Sequence, residues 1–307
     1  MTPIFVPREA EAHMDWIGLT EAFKAAHLLP KAEIADLFLY RDKDTLLDRA
    51  AWIDGMGSAV KVATVTPGNP GRGLPMVNGV VNLFDDTTGL LEALVDFHLV
   101  TKWKTAGDSL LAARLLARPD ARNFLIVGAG TVGRSMVEAY SAAFPDARFT
   151  VWNRSPDGAA RMAAEVPGLA VAGDLETAVG AADVIVTCTM SSQPVIKGDW
   201  LRPGQHLDLI GAYRPDMREV DDTAIARARV YVDSRATTIH HIGEIMAPLA
   251  SGALTEAAIQ GDYYDIGSGA WERRSEDEIT ISKNGGGAHL DLITSRFALD
   301  RWRAAQG

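Results

Sequence analysis

Apolar and polar residues follow two different patterns, one before and one after about residue 116. Before it, short runs with strand periodicity are separated by turn-forming residues, which predicts a mostly antiparallel sheet. The runs are ADLFLY, TLLDRAAW, AVKVATV and GVVNLFD, and the turns lie at 41–44, 67–71 and 85–89. A helix is predicted at Trp16–Ala26 in front of these strands, and another at about Val100–Ala117 behind them.

Residues from about 120 to 290 alternate between apolar strand-like runs and polar or helical segments. This alternation predicts an α/β domain with a parallel, doubly wound sheet of the Rossmann type. The last stretch, DLITSRFALDRWRAA, has helical periodicity and is predicted to pack back on the first part of the chain. The predicted strands are Phe124–Val127, Phe149–Trp152, Ala170–Val171, Val184–Cys188, His206–Ile210 and Val230–Asp233.

The segment NFLIVGAGTVGRSMVEAY has the order strand, glycine-rich turn and helix that a pyrophosphate-binding unit needs. Gly128 permits the tight turn, Gly130 lets the backbone approach the phosphates, and Gly133 lets the helix pack close to the strand. The positive end of the helix then faces the anion. A purely structural glycine turn is the alternative. The residues assigned to the cofactor here are Gly128, Gly130, Thr131, Val132 and Gly133.

The end of the second predicted strand indicates which dinucleotide is bound. NAD-binding units usually have an Asp or Glu there, which accepts from the ribose 2′-hydroxyl. This chain has Asn153, Arg154 and Ser155 instead. An arginine fork can pair with a 2′-phosphate, and the two neighbours can add hydrogen bonds. We therefore predict a preference for NADP(H), with NAD(H) as the second choice and a solvated arginine as the alternative interpretation.

Composition narrows the class of protein. The 307 residues suffice for two domains, and a net charge of −10 argues against nucleic acid and gives no membrane-binding signal. The single cysteine, Cys188, excludes an internal disulfide and favours a cytoplasmic location; its apolar surroundings predict a packing role. His240 and His241 are adjacent and predict no metal site.

Longer motifs resemble one known family. They are VKVATVTPGN, VTKWKTA, GAGTVG, ADVIVTCTMSSQPVI, GAYRPDMREVDD and ITISKNGGGAHLD. In order and spacing they are similar to the ornithine cyclodeaminase/mu-crystallin family over nearly the whole chain. The resemblance implies an NAD(P)-binding Rossmann domain, residues 116–290, inserted into an α+β substrate-binding and dimerisation domain, residues 1–115 plus 291–307. It also implies a homodimer.

The resemblance assigns roles to three cationic positions. Lys61 stands at the active-site lysine of the family, and a lysine inside an apolar run is unusual in any case; a charge that protects an edge strand is the alternative. Lys104 stands where the family usually has a carboxylate-binding arginine, so the charge is kept and the two-pronged fork is lost. Arg49 is the candidate second cation. Lys31 and Arg41 are weaker candidates for a third.

The resemblance also assigns residues to the loops after the strands. Thr189 and Met190 follow a predicted strand at the edge where ligands bind in such sheets, and are assigned to the cofactor. Gly286 and Gly287 are placed near the nicotinamide, together with Asn284, and His289 and Asp291 are candidate hydrogen-bonding groups there. Trp52 and Trp103 are predicted to lie in the core.

One departure favours a particular branch of the family. Tyr213 stands where the cyclodeaminases and alanine dehydrogenases have a proton-transferring aspartate, and a tyrosine hydroxyl is a poor base at neutral pH. Asp216 is a weak substitute. We therefore predict an NADPH-dependent reductase of a small cyclic α-imino acid, such as Δ1-pyrroline-2-carboxylate or Δ1-piperideine-2-carboxylate, with Tyr213 lining the substrate site. The alternatives are an NAD-dependent ornithine cyclodeaminase, an NADPH-dependent binding protein and an opine-type dehydrogenase.

Overall fold

A computed structural model describes residues 2–307. Its first part contains strands β1 to β6 and helices α1 and α2, with short 3-10 helices at Arg8–His13 and Pro70–Arg72. The bounds are β1 Ile4–Val6, α1 Trp16–Ala26, β2 Glu33–Arg41, β3 Asp44–Ile53, β4 Gly57–Val65, β5 Val77–Phe84, β6 Leu91–Asp96 and α2 Phe97–Leu116.

The second part continues with strands β7 to β13 and helices α3 to α9, with 3-10 helices at Gly198–Trp200, Glu256–Ala258 and Tyr263–Ser268. The bounds are β7 Asn123–Val127, α3 Thr131–Ala143, β8 Arg148–Trp152, α4 Pro156–Glu165, β9 Ala170–Val171, α5 Leu175–Ala181, β10 Val184–Thr187, β11 His206–Leu209, α6 Asp222–Arg227, β12 Ala228–Val232, α7 Arg235–Thr238, α8 Gly243–Ser251, β13 Ile279–Lys283 and α9 Ala288–Gln306.

Contacts divide the chain into two compact units. Unit 1 contains the residues up to Lys104 together with Gly287–Gly307, and unit 2 contains Thr105–Gly286. The first break therefore falls inside α2, and the second falls in the glycine run before α9. The assignment of substrate binding to one unit and nucleotide binding to the other stays a prediction.

Unit 1 is built on a sheet of strand order β1-β6-β5-β4-β3-β2. Neighbouring strands from β2 to β6 are antiparallel, as predicted, and β1 joins the edge in parallel to β6. Strands β1 and β6 were not predicted. Helix α9 packs on β3 and β4 and against α1, which confirms that the C-terminal helix returns to the first part of the chain.

Strand β4 shows why α9 can lie close to this sheet. Along Gly57–Val65, every second residue is buried, and the buried ones are Gly57, Ala59, Lys61 and Ala63. Small side chains under a helix allow a short distance between helix and sheet. Lys61 is the exception: it is a long cationic side chain in a row of small residues, so it needs partners within the packed layer.

Unit 2 is a sheet of order β12-β13-β11-β10-β7-β8-β9 with parallel pairing throughout. The doubly wound prediction is confirmed, and β13 is an addition, since it inserts between β11 and β12. The chain proceeds from β7 to β8 and β9 on one side, then crosses to β10 on the other. The loops after β7 and β10 therefore flank the point where strand order reverses, which is the usual ligand crevice of such sheets.

The two tryptophans predicted to be core residues differ. Trp103 is 2% exposed, and its ring stacks on Trp16 with the centroids 3.7 Å apart. Trp52 is 56% exposed, so that prediction is wrong. Trp52 is the residue directly after a buried position of β3, and in an alternating strand it faces away from α9.

Candidate functional site

The cationic residues predicted from sequence are brought together in unit 1 by strand register. Arg49 on β3 and Lys61 on β4 are paired directly across the sheet, so both side chains lie on the same face. Lys104 reaches the same cluster from α2, about two turns after its start at Phe97. Lys61 and Lys104 are 5% and 8% exposed, so both ammonium groups are removed from bulk water.

The carboxylate that balances the two lysines is Asp291, in the first turn of α9. The Lys61 Nζ atom lies 3.0 Å from Asp291 Oδ1, and Lys104 Nζ lies 3.6 Å from Oδ2. Lys61 also donates to the Thr101 hydroxyl at 2.9 Å, and its Nζ lies 4.6 Å from the centroid of the Phe97 ring. The cluster is thus two lysines around one buried carboxylate.

Charge in the cluster fixes the protonation state of Asp291. Burial acts to raise the pKa of this carboxyl group, but Lys104, Lys61 and Arg49 together bring the pKa below its ordinary 3.8. Asp291 is therefore an anion at neutral pH and an ion-pair partner, not a proton donor. The sequence had suggested a hydrogen bond near the nicotinamide for this residue, which stays a prediction; the structure shows its ion pairs with the two lysines.

A histidine pair borders the cluster within unit 1. His289, two residues before Asp291 in the first turn of α9, meets His27 edge to face with ring centroids 5.3 Å apart. Burial, His27 and Lys104 hold the pKa of His289 well below its ordinary value. The imidazole is consequently neutral at physiological pH and adds no further positive charge beside the lysines.

Arg49 already has a carboxylate partner. Its Nε and Nη2 atoms donate to Asp36 on β2 at 3.1 and 3.0 Å, in the two-pronged geometry that arginine favours. Asp36 is the cross-strand partner of Arg49, as Arg49 is of Lys61. A substrate carboxylate would therefore compete with Asp36 for Arg49. Arg41, a weaker candidate, lies at the tip of the β2–β3 hairpin and pairs with Asp44.

In unit 2 the glycine-rich turn has the stereochemistry that its sequence requires. Gly128 has φ +117°, a region that favours glycine, and a Cβ there would lie 2.8 Å from the carbonyl oxygen of Cys188. A Cβ on Gly133 would lie 2.3 Å from the carbonyl oxygen of Gly128, so this glycine allows α3 to pack on the turn. The packing roles of both glycines follow from these distances.

Gly130 differs from the other two glycines. A Cβ placed on it would meet no atom of residues 2–307 within 4 Å, and its φ of −85° suits any residue. The protein itself therefore does not require a glycine at the helix N-terminus. Gly130, Thr131 and Val132 are all exposed at this end of α3. This open surface, with backbone N–H groups behind it, fits the pyrophosphate of a dinucleotide.

Of the three residues after β8, Asn153 has a structural role, and Arg154 and Ser155 are exposed. Asn153 accepts a hydrogen bond from the Ala129 backbone at 3.2 Å and donates to the Ser155 carbonyl at 2.9 Å, so it fixes the glycine turn. Arg154 is exposed and makes no hydrogen bond or ion pair with the described residues. Ser155 is the N-cap residue of α4, yet its side chain accepts no capping hydrogen bond.

The loops after β10 and β11 are joined by a carboxylate that sequence reasoning did not single out. Glu219, which is 0% exposed, accepts from the Thr189 backbone and hydroxyl at 2.7 and 2.8 Å through Oε1. Its Oε2 accepts from the backbone of Gly211 at 2.8 Å and of Ala212 at 3.2 Å. Sequence gave no signal for this role, because MREVDD is a polar run of the kind usually found on a surface.

A second buried carboxylate lies behind the first. Glu244 on α8 accepts from the backbone N–H groups of Glu219 at 2.6 Å and Val220 at 3.0 Å. Burial and the neighbouring Glu219 raise the pKa of Glu244 to about 7, against the opposing effect of Lys283. Lys283, at the end of β13, donates to the carbonyl oxygens of Leu209 and Asn284 at 2.7 and 3.0 Å.

The glycine run before α9 is fixed by a third buried carboxylate. Asp233, which follows β12, accepts from the backbone of Gly285 at 2.9 Å and of Gly286 at 2.6 Å. Gly286 has φ +68°, and Gly287 is the N-cap residue of α9. The backbone N–H of Gly286 is therefore engaged by the protein, which leaves its Cα surface as the part that could face a ligand.

Comparison with known proteins identifies the family. The ornithine cyclodeaminase/mu-crystallin family model matches residues 51–306. A curated relative from Paracoccus denitrificans, Delta(1)-pyrroline-2-carboxylate reductase, is 51% identical over 295 residues, which cover 94% of this chain and 93% of the relative. This chain belongs to the ornithine cyclodeaminase/mu-crystallin family. Mouse ketimine reductase mu-crystallin is 33% identical over 247 residues, covering 80% of this chain and 76% of that protein.

A solved structure of the family has the same fold. The Thermococcus litoralis Delta(1)-pyrroline-2-carboxylate reductase, in complex with NADH and L-proline, superposes with a TM-score of 0.89 at 26% identity. The match covers 99% of this chain and 98% of that one. The Rossmann-type fold and the family resemblance inferred from sequence are therefore confirmed.

Within this ornithine cyclodeaminase/mu-crystallin chain, the loop after β11 carries Tyr213 and Asp216, the two residues on which the predicted choice between reductase and cyclodeaminase depends. Tyr213 is 56% exposed and follows directly after Gly211 and Ala212, whose backbone N–H groups donate to Glu219. Asp216 forms a two-pronged surface pair with Arg214 at 2.9 and 3.0 Å, and this hydrogen bonding lowers the pKa of Asp216. A lowered pKa makes Asp216 a weaker base than an ordinary aspartate, which agrees with its interpretation as a weak substitute.

Three further predictions concern the reactivity of Cys188, metal binding and membrane association. Burial, Glu219 and Asp208 raise the pKa of the Cys188 thiol well above its ordinary value, which keeps it protonated and suits packing better than attack. Among residues 2–307, no group of three or more His, Cys, Asp or Glu side chains could hold a metal ion. No helix in that range has the length and apolar character needed to cross a bilayer.

Proposed function

We propose that this protein reduces a small cyclic α-imino acid, first of all Δ1-pyrroline-2-carboxylate, to the L-amino acid with NADPH. The observation that carries the proposal is the buried pair Lys61 and Lys104 around the single carboxylate of Asp291. Such a cluster has an excess of positive charge in a dry environment, which attracts a small carboxylate. The Paracoccus and Thermococcus relatives, both named for this reduction, support the choice of substrate.

Within unit 1 we assign substrate binding to Lys104 and Arg49, and the catalytic role to Lys61. Lys104 faces the substrate carboxylate as a point charge, and Arg49 adds a second cation from the neighbouring strand. Lys61, or a water molecule that it orients, keeps the imine nitrogen protonated. A protonated imine has a more electrophilic carbon and accepts a hydride more readily. Tyr213, which belongs to unit 2, stays a proposed substrate-binding residue on the basis of its sequence position.

Within unit 2 we assign the dinucleotide to the exposed start of α3 and to the edge of the parallel sheet. The cofactor, when bound, supplies the hydride. Gly128 and Gly133 shape the turn, and Gly130, Thr131 and Val132 present the open helix N-terminus. Further proposed contacts come from the ends of neighbouring strands, namely Asn153, Arg154, Ser155, Thr189, Met190 and Gly286. Gly287, the next residue and the first of the C-terminal part of unit 1, is also proposed.

The decisive experiment follows NADPH oxidation by absorbance with Δ1-pyrroline-2-carboxylate at neutral pH. We expect rapid turnover, with one NADPH consumed for each imine reduced and L-proline as the product. Turnover that is much slower than with the six-membered Δ1-piperideine-2-carboxylate would move the assignment to the larger ring.

The same preparation distinguishes the other functions. Release of ammonia from L-ornithine without any net change in nicotinamide absorbance would identify a cyclodeaminase. Tight binding of NADPH and a small acid, without turnover of either imine, would identify a binding protein. Tyr213 at the position of the proton-transferring aspartate argues against the first of these results.

Arg154 is expected to set the preference for NADPH. Its guanidinium is exposed and makes no ion pair with the described residues, so it can donate to a 2′-phosphate without losing another contact. Replacement by alanine should weaken NADPH binding about 10- to 100-fold, the usual effect of losing charged hydrogen bonds, while NADH binding stays unchanged. Binding is measured from the fluorescence of the reduced nicotinamide.

A matched control for this variant is Arg122→Ala, which removes an exposed arginine just before β7. It should leave both cofactors unaffected. Equal loss of NADPH and NADH affinity in the Arg154→Ala protein would mean that Arg154 supports the loop and does not recognise the 2′-phosphate.

We also propose that the protein is a homodimer and that β2 lies in its interface. This strand is at the edge of the sheet in unit 1, and Leu37, Phe38, Leu39 and Tyr40 are between 46% and 74% exposed. An exposed apolar edge strand needs a covering partner. Light scattering should give twice the chain mass, and a Leu37→Glu, Leu39→Glu variant should shift it toward the monomer.

A further inference from the structure

The strongest unexplained feature of unit 2 is the carboxylate of Glu219. It belongs to a residue with no solvent exposure, and it accepts from three backbone N–H groups and one hydroxyl. A buried anion is costly unless such donors surround it. Hydrogen bonds to an ionised acceptor are about twice as strong as neutral ones. The donors come from two separate loops, the one after β10 and the one after β11, which carries Glu219 itself. The carboxylate therefore links the two loops.

The two loops have little freedom to change their separation. Gly211 lies so close to the other loop that a Cβ on it would be 2.1 Å from the Thr189 carbonyl oxygen. The same Cβ would be 2.4 Å from Glu219 Oε1. The loops after β10 and β11 therefore touch through backbone atoms, with the Glu219 carboxylate inserted between their N–H groups.

Glu219 is itself held from behind. Its backbone N–H and that of Val220 donate to the Glu244 carboxylate. Its carbonyl oxygen accepts from Val195 at 2.8 Å and Ile196 at 3.0 Å. The side chain therefore extends from a backbone that is itself hydrogen-bonded to Glu244, Val195 and Ile196, and its carboxylate lies between the starts of the two loops.

We propose that Glu219 is a positioning residue that sets Thr189 and Met190 against the dinucleotide and, through Gly211 and Ala212, fixes the backbone that leads into Tyr213. The inference rests on the proposed function, because these loop residues are the ones assigned to cofactor and substrate. Removal of the charge is expected to weaken binding of both ligands together. A residue that merely stabilises the fold would not have this effect on the protein that remains folded.

The test is Glu219→Gln, which has the same shape as the native side chain. One oxygen becomes an NH2 group, and this group must face N–H donors of either Thr189 or Gly211 and Ala212. One loop then loses its acceptor and moves away. We expect the Kd for NADPH, from nicotinamide fluorescence without substrate, to rise about 10-fold or more. The KM for Δ1-pyrroline-2-carboxylate should rise as well.

Controls separate this proposal from simpler outcomes. Glu176→Gln changes an exposed glutamate on α5 and should alter neither constant. A Glu219→Gln protein with a lower Tm but unchanged Kd and KM would overturn the proposal. If that variant does not fold, Glu219→Asp keeps the charge but is too short to reach both loops, and an unchanged Kd there would overturn it equally. A wild-type protein that binds neither NADPH nor NADH would contradict the proposed function instead.

Discussion

Replacing Lys61 by alanine is expected to lower kcat about 10²- to 10⁴-fold, the range that general acid–base groups usually contribute. The fold should persist, because Asp291 keeps Lys104 as a partner at 3.6 Å when Lys61 is removed. The loss is measured as NADPH oxidation at saturating imine, together with the circular dichroism and Tm of the variant. NADPH binding by fluorescence should stay near the wild-type value, since Lys61 lies in unit 1 and every proposed dinucleotide residue except Gly287 lies in unit 2.

Lys24→Ala is the matched control for this experiment. Lys24 lies on α1 and forms a partly exposed pair with Glu21, so its removal should change neither kcat nor KM. A Lys61→Ala enzyme that keeps a kcat close to wild type would remove Lys61 from the mechanism. The imine nitrogen would then take its proton directly from solvent.

The second large effect is expected from Asp291→Asn. This change leaves Lys61 and Lys104 in a buried site without their carboxylate, and the loss of one member of a buried ion pair typically costs about 3–5 kcal/mol. Denaturant unfolding should show a decrease of this order in the free energy of unfolding of unit 1. Asp300→Asn is the control: the residue lies on the same helix but is exposed, so its replacement should change the free energy of unfolding little.

The effect of Asp291 should also depend on pH in a defined direction. Its pKa in the folded protein is below the ordinary 3.8, so the carboxylate contributes stability above that pH and loses it as the pH falls through the folded value. The difference in stability between wild type and Asp291→Asn is therefore expected to be largest near neutral pH and to shrink in strong acid. A difference that grows in acid would show that Asp291 is protonated in the native state.

Local patterns of apolar residues and glycines were sufficient to predict most of the fold. The helix at Trp16–Ala26 and the first two strands of the nucleotide unit follow directly from periodicity and glycine spacing. Among the strands that were not predicted, Ile279–Lys283 is short, and its residues Thr280, Ser282 and Lys283 are polar although fully buried. A buried strand with polar residues has no apolar run to reveal it, and only its place inside the sheet explains its sequence.

The residues of the candidate site also differ in whether the sequence alone could identify them. Lys61 could be recognised because a lysine in an apolar strand is locally improbable. Its partner Asp291 lies 230 positions away along the chain, and no local pattern connects them. Glu219 was equally hidden, because only the packing of two loops turns a glutamate in a polar run into a buried acceptor. Register across β3 and β4, in contrast, brings Arg49 beside Lys61 without any long-range information.

The raised pKa of the Glu244 carboxyl group makes the folding equilibrium depend on pH and couples it to proton exchange with the buffer. Its pKa is raised from 4.5 to about 7 in the folded chain, so between these values the native protein retains a proton that the unfolded chain gives up. The stability that this carboxyl group contributes is fully present below pH 4.5 and is lost as the pH rises through about 7. The free energy of unfolding decreases by at most about 1.4 kcal/mol per pH unit. Unfolding near pH 6 consequently releases a proton to the buffer, and the apparent heat of unfolding includes the heat of buffer protonation.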